Sequence, residues 1–411
     1  MNLLTYLAEM VVSLNLFEQP NRTTALKQLA NFVPKAGLSY TSKRNYDFGP
    51  ANHNYVSQLS PFIRRRVLSE TEVLSSVLKK HGLSSSEKFV QEVFWRTYWK
   101  GWLEMRPSVW SEYQSDLKRL EDQIMTQSGL RRSWEMACEG NTEIDCFDFW
   151  AKELKETGYL HNHSRMWFAS IWIFTLNLPW QLGADFFLRH LLDGDPASNT
   201  LSWKWVAGLQ THGKTYLARR DNIYKFTNNR FAPNGLSNSA PALSGVPHPG
   251  LSSLNLHKTP KSNLKTGLLL HDDDLELSTI LNGLQIDSTI AINNSNELSP
   301  WECAKPVYEF VDLLIEDASK RYKDKIGTVK IVKKPEDIIA WSEENNLDQI
   351  VTAYAATGPN ATMITNLNKL GLNIVQISKQ YDQKAWPNAT HGFFRFKEKI
   401  PALVKELGLT S

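Results

Sequence analysis

Asp193–Trp205 reads DGDPASNTLSWKW. Its first four residues are a strong turn signal: Gly194 stands between two carboxylates, and Pro196 is placed to open a helix. Upstream, apolar residues recur at helical spacing. Gln181–Leu192 runs into this turn, His163–Leu178 stops at Pro179, and Phe147–Thr157 stops at Gly158. Glu87–Met105 follows Ser86 and ends before Pro107, while Arg65–His81 carries Val67, Leu68, Val73, Leu74, Val77 and Leu78 on one face. Arg22–Phe32 has the same spacing. No segment of residues 1–231 alternates as a strand, so this region is predicted to be a helical domain.

Downstream the pattern changes twice. Residues 232–264 are rich in Pro, Gly, Ser and Asn and read as a linker or an extended surface segment. Residues 265–411 place short apolar runs at Gly267–Leu270, Thr289–Ile292, Val329–Val332, Gln349–Tyr354 and Asn373–Ile377. Helical patterns separate them at Trp301–Tyr322, Glu336–Glu344, Asn360–Leu370 and Phe396–Leu407. That alternation predicts a smaller α/β domain with a parallel, Rossmann-like sheet, and an α+β multidomain chain as a whole. Neither a Gly-rich dinucleotide fingerprint nor a Walker A loop occurs in it. Asp272-Asp273-Asp274 reads as a helix cap with a charged first turn rather than a metal site, and Arg64-Arg65-Arg66 as a solvated helix start.

With 411 residues, 42% hydrophobic and 22% charged, the chain reads as soluble and globular, with two or three domains. The net charge of +3 names no partner by itself. Cys138, Cys146 and Cys303 are too few for a disulfide framework and lack zinc-ligand spacing, so a reducing, cytoplasmic setting with no metal is expected. Met1–Glu18 carries Glu9 and Glu18 and makes a poor signal peptide, and no run of 18 apolar residues exists to span a membrane. Eleven of the 14 tryptophans lie between Trp95 and Trp205. That density suits an aromatic core, and it equally suits a stacked planar ligand or an electron-transfer chain.

Tyr55–Pro61 (YVSQLSP), Gln91–Trp99 (QEVFWRTYW), Gly158–Met166 (GYLHNHSRM), Asp193–Asn199 (DGDPASN) and Trp203–Trp205 (WKW) occur in that order. Together they resemble the FAD-binding helical domain of the DNA photolyase and cryptochrome family, over roughly residues 40–231. Hydroxyls and backbone N–H groups at a helix start can hold a pyrophosphate, and the resemblance places Ser57, Gln58, Leu59 and Ser60 at the FAD phosphates. It places Arg96 beside them as a planar cation. Asp193 and Asp195 fall on the flavin ring and the ribityl or ribose chain, Asn162 and Arg165 near the flavin, and Asn199 opposite flavin N5. A neutral amide there accepts a hydrogen bond from N5–H. Thr175 stands where the usual acidic partner of Arg165 would be.

On the substrate side the resemblance places Glu92, Trp95, Asn162, Met166 and Trp205 around a cyclobutane pyrimidine dimer flipped out of DNA. Glu92, Asn162 and Asn199 are then the candidate catalytic residues. Tryptophan faces sandwich bases, a carboxyl group hydrogen-bonds a thymine edge, and a thioether fills the remaining contact. Relatives acting on the (6-4) photoproduct carry histidines at Asn162 and Met166, and this chain has neither. His161 and His163 read as bystanders. Trp203 and Trp180 match two members of a photoreduction chain, with Trp134 or Trp110 as the third. Residues 201–231 carry Lys204, Lys214, Arg219, Arg220, Lys225 and Arg230 against Asp221 alone, where relatives meet the DNA backbone.

The implied function is light-driven repair of cyclobutane pyrimidine dimers in single- or double-stranded UV-damaged DNA, by electron transfer from reduced FAD in a monomer. The alternatives are a cryptochrome-type blue-light receptor without repair, and a flavoprotein that only binds single-stranded DNA. The usual order of domains is changed: the flavin motifs come first, and the α/β region follows.

Overall fold

A computed structural model describes residues 19–409; the reading of Met1–Glu18 as no targeting segment lies outside the described residues. The helical unit comprises α1 (Arg22–Phe32), α2 (Leu38–Lys43), α3 (Ser60–Arg64), α4 (Glu70–Glu104), α5 (Ser108–Thr126), α6 (Ser128–Glu139), α7 (Asp145–Thr157), α8 (Asn162–Ser170), α9 (Trp180–His190), α10 (Pro196–Val206) and α11 (Arg220–Phe226). The second unit runs β1 (Thr266–His271), β2 (Ser288–Ile292), α12 (Lys305–Arg321), α13 (Lys323–Ile326), β3 (Val329–Val332), α14 (Glu336–Glu344), β4 (Gln349–Ala353), α15 (Pro359–Lys369), β5 (Ile374–Ile377), α16 (Gln380–Ala385), α17 (Phe393–Lys397) and α18 (Ile400–Glu406).

The five predicted strands are all present, with every bound within one residue of its expected place, and pair in parallel in the order β3-β2-β1-β4-β5. Alternation along the strands divides two cores. Leu268, Leu270, Ala291 and Val351 join the core that continues into the helical unit, while Leu269, Ile290, Ile292 and Ile350 pack on Trp341 and Ile364 of α14 and α15. The switch in strand order falls between β1 and β4. Open α/β sheets take their ligands outside the carboxyl ends of the strands at such a point. Here the helical unit covers it.

Helix α4 is the spine of the molecule. Its start is a full capping box, in which Ser69 and Glu72 satisfy each other's backbone N–H groups. The sequence predicts two helices with a cap at Ser86. Two helical stretches do meet here, at a kink where Gly82 has φ 68° and ψ 169°, outside helical geometry; Ser86 lies within the second stretch and donates back to the Gly82 carbonyl. At Gly101 a Cβ would lie 2.9 Å from the Trp386 backbone, so only glycine lets the α/β region come this close. Tyr354 and Thr357 donate to Glu104 at 2.6 and 2.7 Å, and Thr97 shares a 2.7 Å hydrogen bond with Tyr381.

The contact between the units corrects two expectations. Arg64-Arg65-Arg66 is no solvated helix start, for all three side chains are buried. Asp272-Asp273-Asp274 caps no helix, since the residues after it form turns. The two triplets face each other: Arg64–Asp273 at 2.6 Å, Arg65–Asp272 at 2.8 Å and Arg66–Asp274 at 3.1 Å. Arg66 also holds Asp382 of α16 at 2.6 Å and Glu70 of α4 at 3.0 Å. Two runs of three like-signed neighbours tolerate burial only because each side chain meets its opposite. The segment 232–264 is tied down as well: Leu243 N–H reaches Ala207 O at 3.1 Å, Ser252 N–H reaches Met105 O at 2.8 Å, and Leu256 is buried. No described helix is long and apolar enough to cross a membrane.

Arg66→Met removes the arginine from Glu70 and Asp382 and leaves Asp274 with Lys379 alone. Breaking a buried pair costs about 3–5 kcal/mol, so denaturant unfolding at pH 7 is expected to show a loss of that order. An unchanged midpoint contradicts a structural role for the arginine–aspartate contact.

Candidate active site

The turn at Asp193–Asp195 sits between α9 and α10. Asp195 is the N-cap of α10 and accepts from Ser198 N–H at 2.8 Å. Burial would raise its pKa, but Lys100, Arg64 and Arg96 overcome that and hold it at about 2. Arg64 is central to this. Its Nε donates to Gly194 O at 2.9 Å and lies 3.5 Å from Asp195, while its Nη1 is on Asp273. Lys100 Nζ is 4.0 Å from Asp195. Neither Arg64 nor Lys100 was selected from the sequence as a site residue. The available signal was spacing, because Lys100 stands one turn after Arg96 on α4 and so shares its face.

Arg165 answers the question raised by Thr175. Its Nη1 and Nη2 each meet an Asp193 carboxylate oxygen at 3.0 Å, a bidentate pair with the Asp193–Asp195 turn itself. Burial pushes the Asp193 carboxyl up, and Arg165, with a hydrogen bond from Ser60, outweighs it and lowers the pKa. Ser60 is the first residue of α3, with Leu59 as N-cap and Pro61 in the first turn. Leu59 is wholly buried and offers only its backbone, whereas Ser57, Gln58 and Ser60 are half-buried. Gln58 has φ 51°, a left-handed conformation uncommon for a side-chain-bearing residue.

The fit to a flavin dinucleotide rests on polar atoms without partners. Arg96 Nη1 and Ser198 Oγ are buried and unpaired. Burial lowers the Arg96 pKa against the pull of Asp195 and Asp193. Asn199 donates its Nδ2 to Ala184 O at 2.8 Å, which fixes the amide and leaves Oδ1 as its acceptor. Cationic donors, hydroxyls and one oriented amide acceptor together match a pyrophosphate, a polyol and a ring N–H.

The profile of the family described as the FAD-binding domain of DNA photolyase matches residues 89–257. Residues 89–257 carry the FAD-binding domain of the DNA photolyase family. It is 32% identical over 180 residues to the deoxyribodipyrimidine photo-lyase of Streptomyces griseus, covering 41% of this chain and 38% of that one. To the mitochondrial deoxyribodipyrimidine photo-lyase of Saccharomyces cerevisiae it is 31% identical over 202 residues, covering 47% and 34%. A solved bacterial class III photolyase from Agrobacterium tumefaciens is 26% identical, with 51% of this chain and 43% of that one covered and a TM-score of 0.42. The chain thus spans about two fifths of the length of these relatives.

Around the photolyase-type domain the other selected residues fall as follows. Glu92 and Trp95 are half-buried on α4, Asn162 is exposed at the start of α8 with Met166 half-buried one turn on, and Trp205 is half-buried near the end of α10. Burial raises the Glu92 pKa, with Arg44 and Lys88 pulling the other way. Trp205 stacks on Tyr216 at 5.9 Å. Trp95 stacks face to face on Phe393, with ring centroids 3.5 Å apart and planes at 11°.

The tryptophans separate into groups. Trp203 meets Trp172 edge-on at 6.2 Å, and a Cβ at Gly183 would sit 2.3 Å from its ring, so glycine makes room for it. Trp180 stacks on Tyr113 at 5.7 Å, and Tyr113 lies 5.2 Å from Trp110. Trp134 pairs with Trp301 at 5.4 Å. Trp172 and Tyr113, not singled out from the sequence, therefore adjoin the selected residues. In the basic segment, Lys214, Arg219, Arg220 and Lys225 are exposed, while Arg230 is turned inward to Asp47 at 3.4 Å.

His161 and His163 are tied into the fold. His161 caps α8 by accepting from His163 N–H at 3.2 Å and stacks on His53, whose Nε2 lies 3.7 Å from Glu153. Burial lowers His53 and His161 to about 4, against the opposite pull of Asp47.

Two outcomes are expected. Arg96→Met should retain helical circular dichroism but bind FAD about tenfold or more weakly, because a charged hydrogen bond contributes about 1.5–3 kcal/mol; full FAD occupancy after gel filtration contradicts this. The histidines give a pH window. Unfolded imidazole titrates near 6.5, so the folded state binds fewer protons. Their contribution is complete above about pH 6.5 and is lost as pH falls toward 4. Melting temperature should drop across that range, and less steeply in His53→Asn; parallel profiles contradict the assignment.

Proposed function

We propose that the protein repairs cyclobutane pyrimidine dimers in DNA using light and reduced FAD, in a reducing, cytoplasmic setting. One observation carries the reading. Three helices each supply both candidate cofactor and candidate substrate residues: Arg96 with Glu92 and Trp95 on α4, Arg165 with Asn162 and Met166 on α8, and Asn199 with Trp205 on α10. Helix α10 packs on both α4 and α8. Residues three or four apart share a face, and immediate neighbours are rotated by about 100°. The same three helices thus offer one edge to a cofactor and an adjacent edge to a flipped base pair.

When bound, reduced and excited FAD supplies the electron that opens the cyclobutane ring and recovers it afterwards, so the net reaction is redox-neutral. The protein's part is to bind and orient. Trp205 gives a half-exposed face for stacking. Glu92, whose pKa burial raises, places a carboxyl group to hydrogen-bond a thymine edge. Asn199 holds one acceptor toward the flavin ring. The exposed Lys214, Arg219, Arg220 and Lys225 take the DNA phosphates.

A blue-light flavin receptor without repair is the second reading. One observation favours it: Phe393 already covers a face of Trp95 that a flipped base would use.

Trp205→Ala is expected to lose stacking worth about 1–3 kcal/mol, roughly tenfold or more in affinity for dimer-containing DNA, with undamaged DNA much less affected. Glu92→Ala should lower thymine restored per absorbed photon more than it lowers binding. Equal loss on damaged and undamaged DNA makes Trp205 structural. Wild-type protein with reduced FAD that restores no thymine under blue light leaves the receptor reading in its place.

A further inference from the structure

The segment Thr390–Lys399, THGFFRFKEK, comes from the α/β unit but is held on α4 beside the candidate dimer pocket. Tyr98 Oη donates to His391 O at 2.8 Å, and Arg106 Nη2 donates to Thr390 O at 2.7 Å. With the Trp95–Phe393 stack, these bonds fix the entry to α17 within one turn of Glu92 and Trp95. The helix then divides its side chains. Phe393 and Phe396 are buried, and Phe394 points away.

Phe394 is 82% exposed, the most exposed of the large apolar side chains among the described residues. The packing of α17 does not account for it, because the two buried phenylalanines already fill the contact with Trp95, Tyr98 and Phe94. The charges around it are mainly basic. Arg395 and Lys399 are exposed, Lys397 pairs Glu87 at 3.1 Å, and Lys88 and Arg44 lie near Glu92; Glu398 is the exposed acid of the segment. A planar apolar side chain with flanking cations is the chemistry that enters a base stack between two phosphates.

We propose that Phe394 is a wedge for duplex DNA: it enters the stack beside the dimer extruded toward Trp95, while Arg395 and Lys399 hold the flanking phosphates. The proposal rests on the dimer-repair reading and adds to it a preference for double-stranded substrate. Extrusion leaves a gap in the duplex and costs unstacking. Phe393 stacks on the pocket tryptophan, and the next residue stands about 3.8 Å along the chain, so pocket and wedge keep a fixed separation. A single strand has no opposing stack to fill and gains nothing from the wedge.

The test uses the full FAD-loaded chain and its Phe394→Ala and Phe394→Trp variants. Affinity is measured, at one stated salt concentration, for a duplex with one thymine dimer, the same dimer in a single strand, and an undamaged duplex. Phe394→Ala should bind the damaged duplex about tenfold more weakly, with the damaged single strand changed by no more than about twofold, and Phe394→Trp should restore binding. 2-Aminopurine placed opposite the dimer should brighten with wild type and far less with Phe394→Ala. Unchanged damaged-duplex affinity in Phe394→Ala overturns the wedge alone, provided wild type still prefers damaged DNA. Equal loss on both strand forms, or a shift in sedimentation that shows Phe394 covering a second copy, also overturns it. Wild type that shows no preference for the dimer removes the repair reading and the wedge with it.

Discussion

Three consecutive arginines face three consecutive aspartates across the junction of the two units, and the rest of the structure is arranged around that contact. Neither triplet is tolerable alone in a buried setting. Desolvation of each ion costs several kcal/mol, repaid only when the opposite charge is in place. The helical unit and the sheet are therefore bound to fold against each other. Arg64 carries the consequence to the candidate site, since the guanidinium that holds Asp273 also holds Gly194 O and approaches Asp195. The crevice at the switch in strand order is closed by this contact, and the loop expected to meet FAD is braced by the second unit.

The site follows the same economy. Asp193 and Asp195 are both buried carboxylates with lowered pKa values, and each is matched by cations from other elements: Arg165 on α8, Arg96 and Lys100 on α4, Arg64 at the end of α3. The cations outnumber the two carboxylates, and Arg96 Nη1 has no partner. A site so arranged is set up for a further anionic group. That is the physical content of the match between residues 89–257 and the photolyase FAD-binding domain.

Local signals made the elements legible. Val329–Val332 and Glu336–Glu344 have the predicted bounds, because an apolar run and an amphipathic period belong to the segment itself. The flavin loop was legible because Gly194 and Pro196 punctuate it. What depended on distant partners was not. Arg64–Arg66 reads as a solvated run until Asp272–Asp274, some 200 residues away, is brought against it. The partner of Arg165 was sought ten residues on and lies 28 residues on, across a turn. Phe393 had no local reason to be set against Trp95; only the return of the chain to α4 puts it there.

The claim that the two units stand or fall together has a direct measurement. The FAD-loaded chain is heated while flavin fluorescence reports cofactor release, far-ultraviolet circular dichroism reports the helices, and cysteine labelling at the buried Cys303 reports opening of the second unit. All three should change in one transition, and Asp273→Asn should lower all three midpoints together. A labelling transition well below flavin release, with flavin release unmoved by Asp273→Asn, would contradict the account.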